Sequence, residues 1–163
     1  MRVIKPFMSL NMLKNTYSSY FIMIISYGLP FWGNSLHSIQ IFRMQKRTIR
    51  IMIGCNSRVS CRNLLKRLEN LPILSQYILS LMHFEVKNKI FFILNSENYT
   101  KSTSQFNNFY QPINNLTIYQ RRVHYMGIKI FNSLSPYTKV ISNNVREFEI
   151  CLKDSYRHRF LTP

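Results

Sequence analysis

The segment from Leu36 to Ile53 constrains the fold of this chain more than any other stretch of sequence. Its cationic residues recur at intervals of three and four positions: Arg43, Lys46, Arg47 and Arg50. Residues at these intervals share one face of an α-helix. Most of the other positions are apolar. The pattern therefore predicts a largely buried helix with one basic stripe directed outward.

Apolar residues follow helical spacing in most of the remaining chain, between Ser, Gly and Pro residues that begin or end helices. Ser9 is a predicted N-cap, and Gly54 is a predicted helix stop. The predicted helical segments are 9–28, 36–53, 61–70, 73–94 with a break near 87–89, 120–134, and a last helix from about 142. The piece that follows the break at 87–89 could equally be a strand. The expected fold is mainly α, with five or six amphipathic helices around one core.

Residues 95–115 interrupt the helical pattern. Asn, Ser, Thr and Gln dominate this stretch, and its aromatic residues are isolated. Such a composition is typical of a loop, so a long polar loop of low order is expected here. Residues 116–119 are predicted to be a short extended segment, and Pro136 is predicted to end the helix that follows.

The charge of the chain favours a polyanionic partner. Lys and Arg number 22 against 6 Asp and Glu, which gives a formal net charge of +16. An excess of this size favours association with nucleic acid. An alternative stays open, because the chain has no alanine and is rich in Asn, Ile and Lys. These are residues of A/T-rich codons, so base composition accounts for part of the lysine excess.

The residues that catalysis and metal binding require are scarce. The only aspartate is Asp154, and the five glutamates are dispersed along the chain. Enzymes that transfer phosphoryl groups with two metal ions need several carboxylates close together. The three cysteines form no CxxC pair, and no Gly-rich phosphate loop is present. We expect no catalytic residue, no metal site, no cofactor and no small-molecule ligand.

The most apolar run, Tyr20 to Trp32, is too short to cross a membrane. It contains 13 residues and is interrupted by Ser26, Gly28 and Pro30, whereas a membrane helix needs about 20. We expect this run to belong to the core, with no membrane partner. No signal peptide is expected, so the predicted location is the cytoplasm or the nucleus.

Two motifs carry a resemblance to a known family. The first pairs SYGLPFWGNS at 26–35 with IFRMQKRTIRIM at 41–52, and the second is GIKIFNSL at 127–134. Together they resemble the region downstream of the polymerase core in non-LTR, jockey-like retrotransposon reverse transcriptases, and the likeness extends over nearly the whole chain. The resemblance implies a thumb-like helical region at 1–94, a polar loop at 95–115 and a C-terminal helical tail at 116–163.

The same resemblance implies part of an RNA-directed DNA polymerase, with the metal-binding palm expected to lie before residue 1. The chain is therefore not expected to be an enzyme by itself. In this interpretation the helix with Arg43, Lys46, Arg47 and Arg50 follows the phosphate backbone of RNA or of an RNA–DNA hybrid without reading sequence. The alternative is a nonfunctional or structural remnant that only packed against the missing polymerase core.

Overall fold

The structure is a computed structural model that describes the backbone of residues 1–95 and 108–161, and side chains as far as residue 156. The described chain is mainly helical, as the sequence predicts. The α-helices, in chain order, are α1 (Leu10–Thr16), α2 (Met23–Ser26), α3 (Leu29–Trp32), α4 (Ser38–Ile53), α5 (Cys61–Arg67), α6 (Ile73–Lys87), α7 (Thr117–Gln120), α8 (Val123–Asn132), α9 (Pro136–Ile141) and α10 (Val145–Leu161). These helices are shorter and more numerous than the five or six expected, because turns divide several of the predicted segments.

The chain clusters into two compact units. The first unit contains Met1–Tyr77 and Tyr156–Pro163, and the second contains Ile78–Ser155. Helices α6 and α10 contribute residues to both units. The segments predicted from the sequence are 1–94, 95–115 and 116–163. Their boundaries differ from those of the two compact units.

The first unit begins with the helix that Ser9 was expected to cap. The Ser9 hydroxyl accepts a hydrogen bond from the Met12 amide at 3.4 Å, and Leu13 and Tyr17 are buried. A π-helical segment, Tyr17–Ile22, then joins α1 to α2. Because i→i+5 bonding adds a residue to the turn, later residues are rotated relative to regular α spacing. Ile24 lies in the run that was expected to belong to the core, and it is accordingly 72% exposed.

The core of the first unit is formed by one side of α1 and its π-helical extension, α4 and α5. It consists of Leu13, Tyr17, Ile49, Met52, Leu64, Leu65 and Leu68. Leu68 follows Leu65 by three residues and Leu64 by four, so the three leucines share the inner side of α5 and its C-terminal turn. This packing fixes α4 between two other elements and decides which of its faces remains outside.

The second unit contains an aromatic core residue from the stretch predicted to be a polar loop. Phe109 is buried, and its ring centroid lies 4.5 Å from that of Phe131. The Asn132 side chain accepts from the Phe109 amide and donates to its carbonyl, each at 2.9 Å. Residues 96–107 of the predicted loop lie outside the described residues. Phe109 is thus part of the fold, whereas 111–116 has no regular secondary structure.

Two local predictions in the second unit were wrong. Thr117–Gln120 is a single helical turn and not an extended segment. Pro136 begins α9 and does not only end the preceding unit, because proline fits the first turn of a helix, where its missing N–H is not needed. The Ser135 hydroxyl caps α9 by accepting from the Thr138 amide at 3.3 Å.

Candidate nucleic-acid interface

The candidate interface is built on α4. The helix covers Ser38–Ile53, two residues shorter at its start than predicted, because Leu36 and His37 belong to the preceding turn. Its end is the predicted one. Gly54 adopts a left-handed conformation with φ of 84°, and its amide donates to the Arg50 carbonyl at 2.9 Å. Glycine tolerates this conformation without steric cost.

The inner side of α4 is held by a buried glutamine. Gln45 has no exposed surface, and its amide nitrogen donates to the Tyr17 hydroxyl at 3.0 Å and to the Leu71 carbonyl at 3.1 Å. Its side-chain oxygen accepts from the Ile73 amide at 3.0 Å. Burial raises the pKa of Tyr17 to about 12, although the bond from Gln45 acts in the opposite direction. These bonds fix the rotation of α4 about its axis.

The outer side of α4 carries the predicted basic stripe, but its four members are not equivalent. Arg43 and Arg47 are exposed, whereas Lys46 and Arg50 are half-buried. The Lys46 ammonium lies 4.1 Å from the centroid of the Phe42 ring. A cation above an aromatic face is held by the negative charge of the ring face, so Lys46 is more restrained than the two arginines.

Arg50 is engaged in holding the chain that follows α4. Its Nε and Nη2 atoms donate to the Val59 carbonyl at 3.1 and 3.0 Å. Because two donors of the planar guanidinium bind one oxygen, the Arg50 side chain and the Val59 carbonyl restrain each other. Arg50 is therefore a positioning residue for the connection between α4 and α5, and Arg43 and Arg47 are the members of the stripe best placed to meet a phosphate.

Helix α5 adds cations that the sequence pattern did not assign to the site. Arg62 and Lys66 line, together with Lys46, a groove of about 670 Å³ in the first unit. Helical spacing showed that Arg62 and Lys66 lie away from the buried leucines of α5. It could not show that α5 packs beside α4, since that contact joins segments separated by a turn.

Acidic residues are unevenly distributed relative to this surface. Of the six Asp and Glu residues, five follow residue 77, and Glu69 alone precedes it. The Glu69 carboxylate accepts from the Lys14 ammonium at 3.2 Å. The first 77 residues carry eleven Lys and Arg. Residues 1–77, which contain the stripe, therefore carry more net positive charge than residues 78–163.

Ligands for a metal ion are not assembled in the part of the chain that the structure describes, where no three His, Cys, Asp or Glu side chains lie close enough together. Likewise, no helix within 1–95 or 108–161 is both long and apolar enough to cross a membrane. Comparison with protein-family models, with curated proteins and with solved structures gives no match.

Proposed function

We propose that this chain binds nucleic acid through the sugar-phosphate backbone, without reading sequence, and that Arg43, Lys46 and Arg47 make the principal contacts. We further propose that these residues correspond to the thumb and tail segment of a retrotransposon reverse transcriptase, which follows the catalytic palm in that family, and that they have no polymerase activity by themselves. The backbone-binding proposal can be tested without reference to the family proposal.

One observation carries the binding proposal: Arg43 and Arg47 are exposed on a helix whose opposite side is locked by Gln45. Residues four apart on a helix are neighbours on its surface. Because α4 is fixed in rotation, both guanidinium groups point outward from a rigid element. An arginine matches phosphate geometry with paired donors and remains charged at any physiological pH.

The test is a titration of labelled single-stranded RNA, duplex DNA and RNA–DNA hybrid at several salt concentrations. The variant is Arg43→Gln/Lys46→Gln/Arg47→Gln, which keeps Arg50 because that side chain holds Val59. Each lost contact with a single strand lowers the slope of log K against log salt by about 0.7, so the variant is expected to lose about 2 from the slope.

The matched control is Lys87→Gln/Arg121→Gln/Lys129→Gln. It removes the same charge from exposed positions of the second unit. If net charge alone drives binding, the two triple variants lose affinity equally and the proposed interface is wrong. Circular dichroism and size-exclusion chromatography establish that each variant is folded before its affinity is compared.

The proposed lack of polymerase activity has its own assay. The chain is incubated with a primed RNA template, nucleotides and Mg²⁺, and no extension of the primer is expected. Extension that survives repurification, and that is lost in a variant of Asp154 or Glu149, would overturn this part of the proposal.

A second candidate is a structural module that packs against another protein. It is favoured by an apolar surface on the π-helical segment, α2 and the turn after α2. This surface is defined by Tyr20, Met23, Ile24 and Tyr27, whose exposed fractions range from 68% to 86%. Contiguous exposed apolar surface of this kind marks interaction sites or promotes aggregation. Such a surface is expected on a segment that packs against a polymerase core.

This second candidate predicts self-association of the isolated chain that depends on concentration. Light scattering after size-exclusion chromatography is expected to show less association for Ile24→Gln/Tyr27→Gln than for the parent. The control pair is Ile118→Gln/Tyr137→Gln, which are exposed to a similar extent in the second unit. A parent that remains monomeric at high concentration would count against this candidate and leave backbone binding as the preferred function.

A further inference from the structure

The groove beside the basic stripe combines an apolar lining with a cationic border. Phe42 from α4, Leu65 from α5, and Leu71 and Leu74 from the start of α6 and the turn before it provide apolar surface. At about 670 Å³, the groove has the size of a typical ligand site. Its surface suits a group that is flat or apolar but attached to negative charge.

Charge complementarity narrows the choice of occupant. Lys46, Arg62 and Lys66 line the groove, and the lining carboxylate, Glu69, pairs with Lys14. An apolar peptide without acidic residues would bring no negative charge to this cationic border. The groove is therefore matched to an anion that carries an apolar or aromatic body.

Lys46 connects the groove to the stripe. Its side chain lines the groove, and it shares one face of α4 with Arg43 and Arg47. A strand whose phosphates lie along this face would therefore pass the border of the groove. In a duplex the bases are paired and stacked inside, so they cannot enter the groove. An unpaired base has a free π-face that stacks on apolar and aromatic side chains.

A polar group of the lining fits the same occupant. The Asn70 amide nitrogen is shielded from water and has no hydrogen-bond partner within the described residues, although the residue as a whole is half-exposed. A shielded donor without a partner costs free energy. Rotation of this side chain toward the groove would let it donate to a carbonyl or ring nitrogen of a base.

We infer that this groove receives an unpaired base of a single-stranded nucleic acid whose phosphates lie on Arg43, Lys46 and Arg47. The inference rests on the proposed function and makes it specific: the chain binds single strands in preference to duplex and hybrid. Stacking of bases is tolerant of sequence, so the groove adds affinity for single strands without selecting one base.

The test compares three probes of equal charge on the full chain. They are a single-stranded RNA, the same sugar-phosphate chain with abasic nucleotides, and an RNA duplex of the same charge. The single strand is expected to bind about tenfold more tightly than the abasic chain, because stacking of one base adds affinity of about this size. Leu74→Gln is expected to remove that difference and leave binding of the abasic chain unchanged.

Leu74 suits this test because it is 61% exposed, so its replacement spares the core. The matched control is Leu36→Gln, which is 71% exposed and does not line the groove. This control is expected to bind all three probes like the parent. Circular dichroism confirms that both variants are folded.

The outcomes separate the inference from the proposed function. Equal binding of single-stranded and abasic chains, with a normal salt slope, overturns the inference and leaves backbone binding intact. The inference is also overturned if the duplex binds as tightly as the single strand. It is overturned as well if Leu74→Gln and Leu36→Gln lose the same affinity for the single strand. No salt-dependent binding of any probe overturns the proposed function, and the inference with it.

Discussion

Gln45 donates a hydrogen bond to the Tyr17 hydroxyl at 3.0 Å, and both side chains are fully buried. The two residues belong to segments 28 positions apart in the sequence. Through the same side chain, Gln45 also binds the backbone of Leu71 and Ile73. One residue thus joins α4 to the first helical segment and to the start of α6.

We expect Gln45→Ala to destabilise the chain strongly. Its removal leaves the Tyr17 hydroxyl and the Ile73 amide without partners, and each such group costs about 1–3 kcal/mol. The Leu71 carbonyl keeps the hydrogen bond that it accepts from Gln76 at 2.8 Å. We expect the free energy of unfolding, measured in urea, to fall by about 3 kcal/mol. Water that enters the vacated space limits this loss, because it can bind the groups left without partners. Gln40→Ala on the exposed side of α4 is the control, and a similar loss for both would contradict the role of the buried network.

Tyr17→Phe is expected to cost less than Gln45→Ala. The change removes one hydroxyl and leaves one donor of Gln45 without that partner, so about 1 kcal/mol is expected in the same urea measurement. The effect of Tyr17→Phe should disappear in the Gln45→Ala background, because the bond is already absent there. Additive effects of the two changes would show that they act independently.

The sequence could predict α4 and its outer face, but not what holds its inner face. Apolar periodicity, the Gly54 stop and the spacing of Arg43 and Arg47 are local features, and the structure agrees with each. Gln45 is polar, so composition alone would place it at the surface. Its partners come from distant segments, and no local pattern contains that information.

Phe109 illustrates the same limit in the second unit. It lies in a stretch of polar composition, and residues 110–116 that follow it have no regular secondary structure. The ring is nevertheless buried beside Phe131, and Asn132 binds both backbone groups of Phe109. An isolated aromatic in a polar segment gives no periodic signal, so only its tertiary contacts distinguish a core residue from an exposed one.

Glu85 is expected to make stability fall as pH rises. The side chain is fully buried, and neither oxygen has a hydrogen-bond partner in the described chain. Burial raises the pKa of Glu85 from 4.5 to about 8. Between these values the folded chain holds a proton that the unfolded chain has released, so unfolding releases a proton and becomes more favourable as pH increases.

The measurement is urea unfolding of the parent and Glu85→Gln from pH 4 to 9. Because one pKa unit corresponds to about 1.4 kcal/mol, we expect the variant to gain about 2–4 kcal/mol relative to the parent across this range. Glu147→Gln, at an exposed carboxyl, controls for the loss of one negative charge. If the difference in unfolding free energy between the parent and Glu85→Gln stays constant with pH, the raised pKa of Glu85 is contradicted.

Gly127 and Glu85 are expected to be energetically coupled. A methyl group at Gly127 would overlap the Glu85 side chain at Cγ, Cδ and Oε1. Alanine favours a helix over glycine by about 1 kcal/mol, but overpacking in a buried site costs about 1–3 kcal/mol. We therefore expect Gly127→Ala to destabilise the chain in spite of its better helix propensity.

The double variant Gly127→Ala/Glu85→Ala tests this contact. With the shorter side chain at position 85, the new methyl group enters vacated space, and the helix gains from alanine. The double variant should be more stable than the sum of the single effects predicts, by at least about 1 kcal/mol. Additive single effects in urea unfolding would show that the two residues are not in conflict.

Arg50 is expected to affect the structure more than binding, in contrast to Arg43. Arg50→Gln removes two hydrogen bonds to Val59, and we expect a loss of about 1 kcal/mol because the site is partly exposed to water. Hydrogen exchange of amides from Cys55 to Ser60 should become faster. Arg43→Gln should leave exchange unchanged and weaken binding to single-stranded RNA more than Arg50→Gln does. If Arg50→Gln weakens binding as much as Arg43→Gln without faster exchange, Arg50 would be a phosphate contact, and the stripe would act as four equivalent charges.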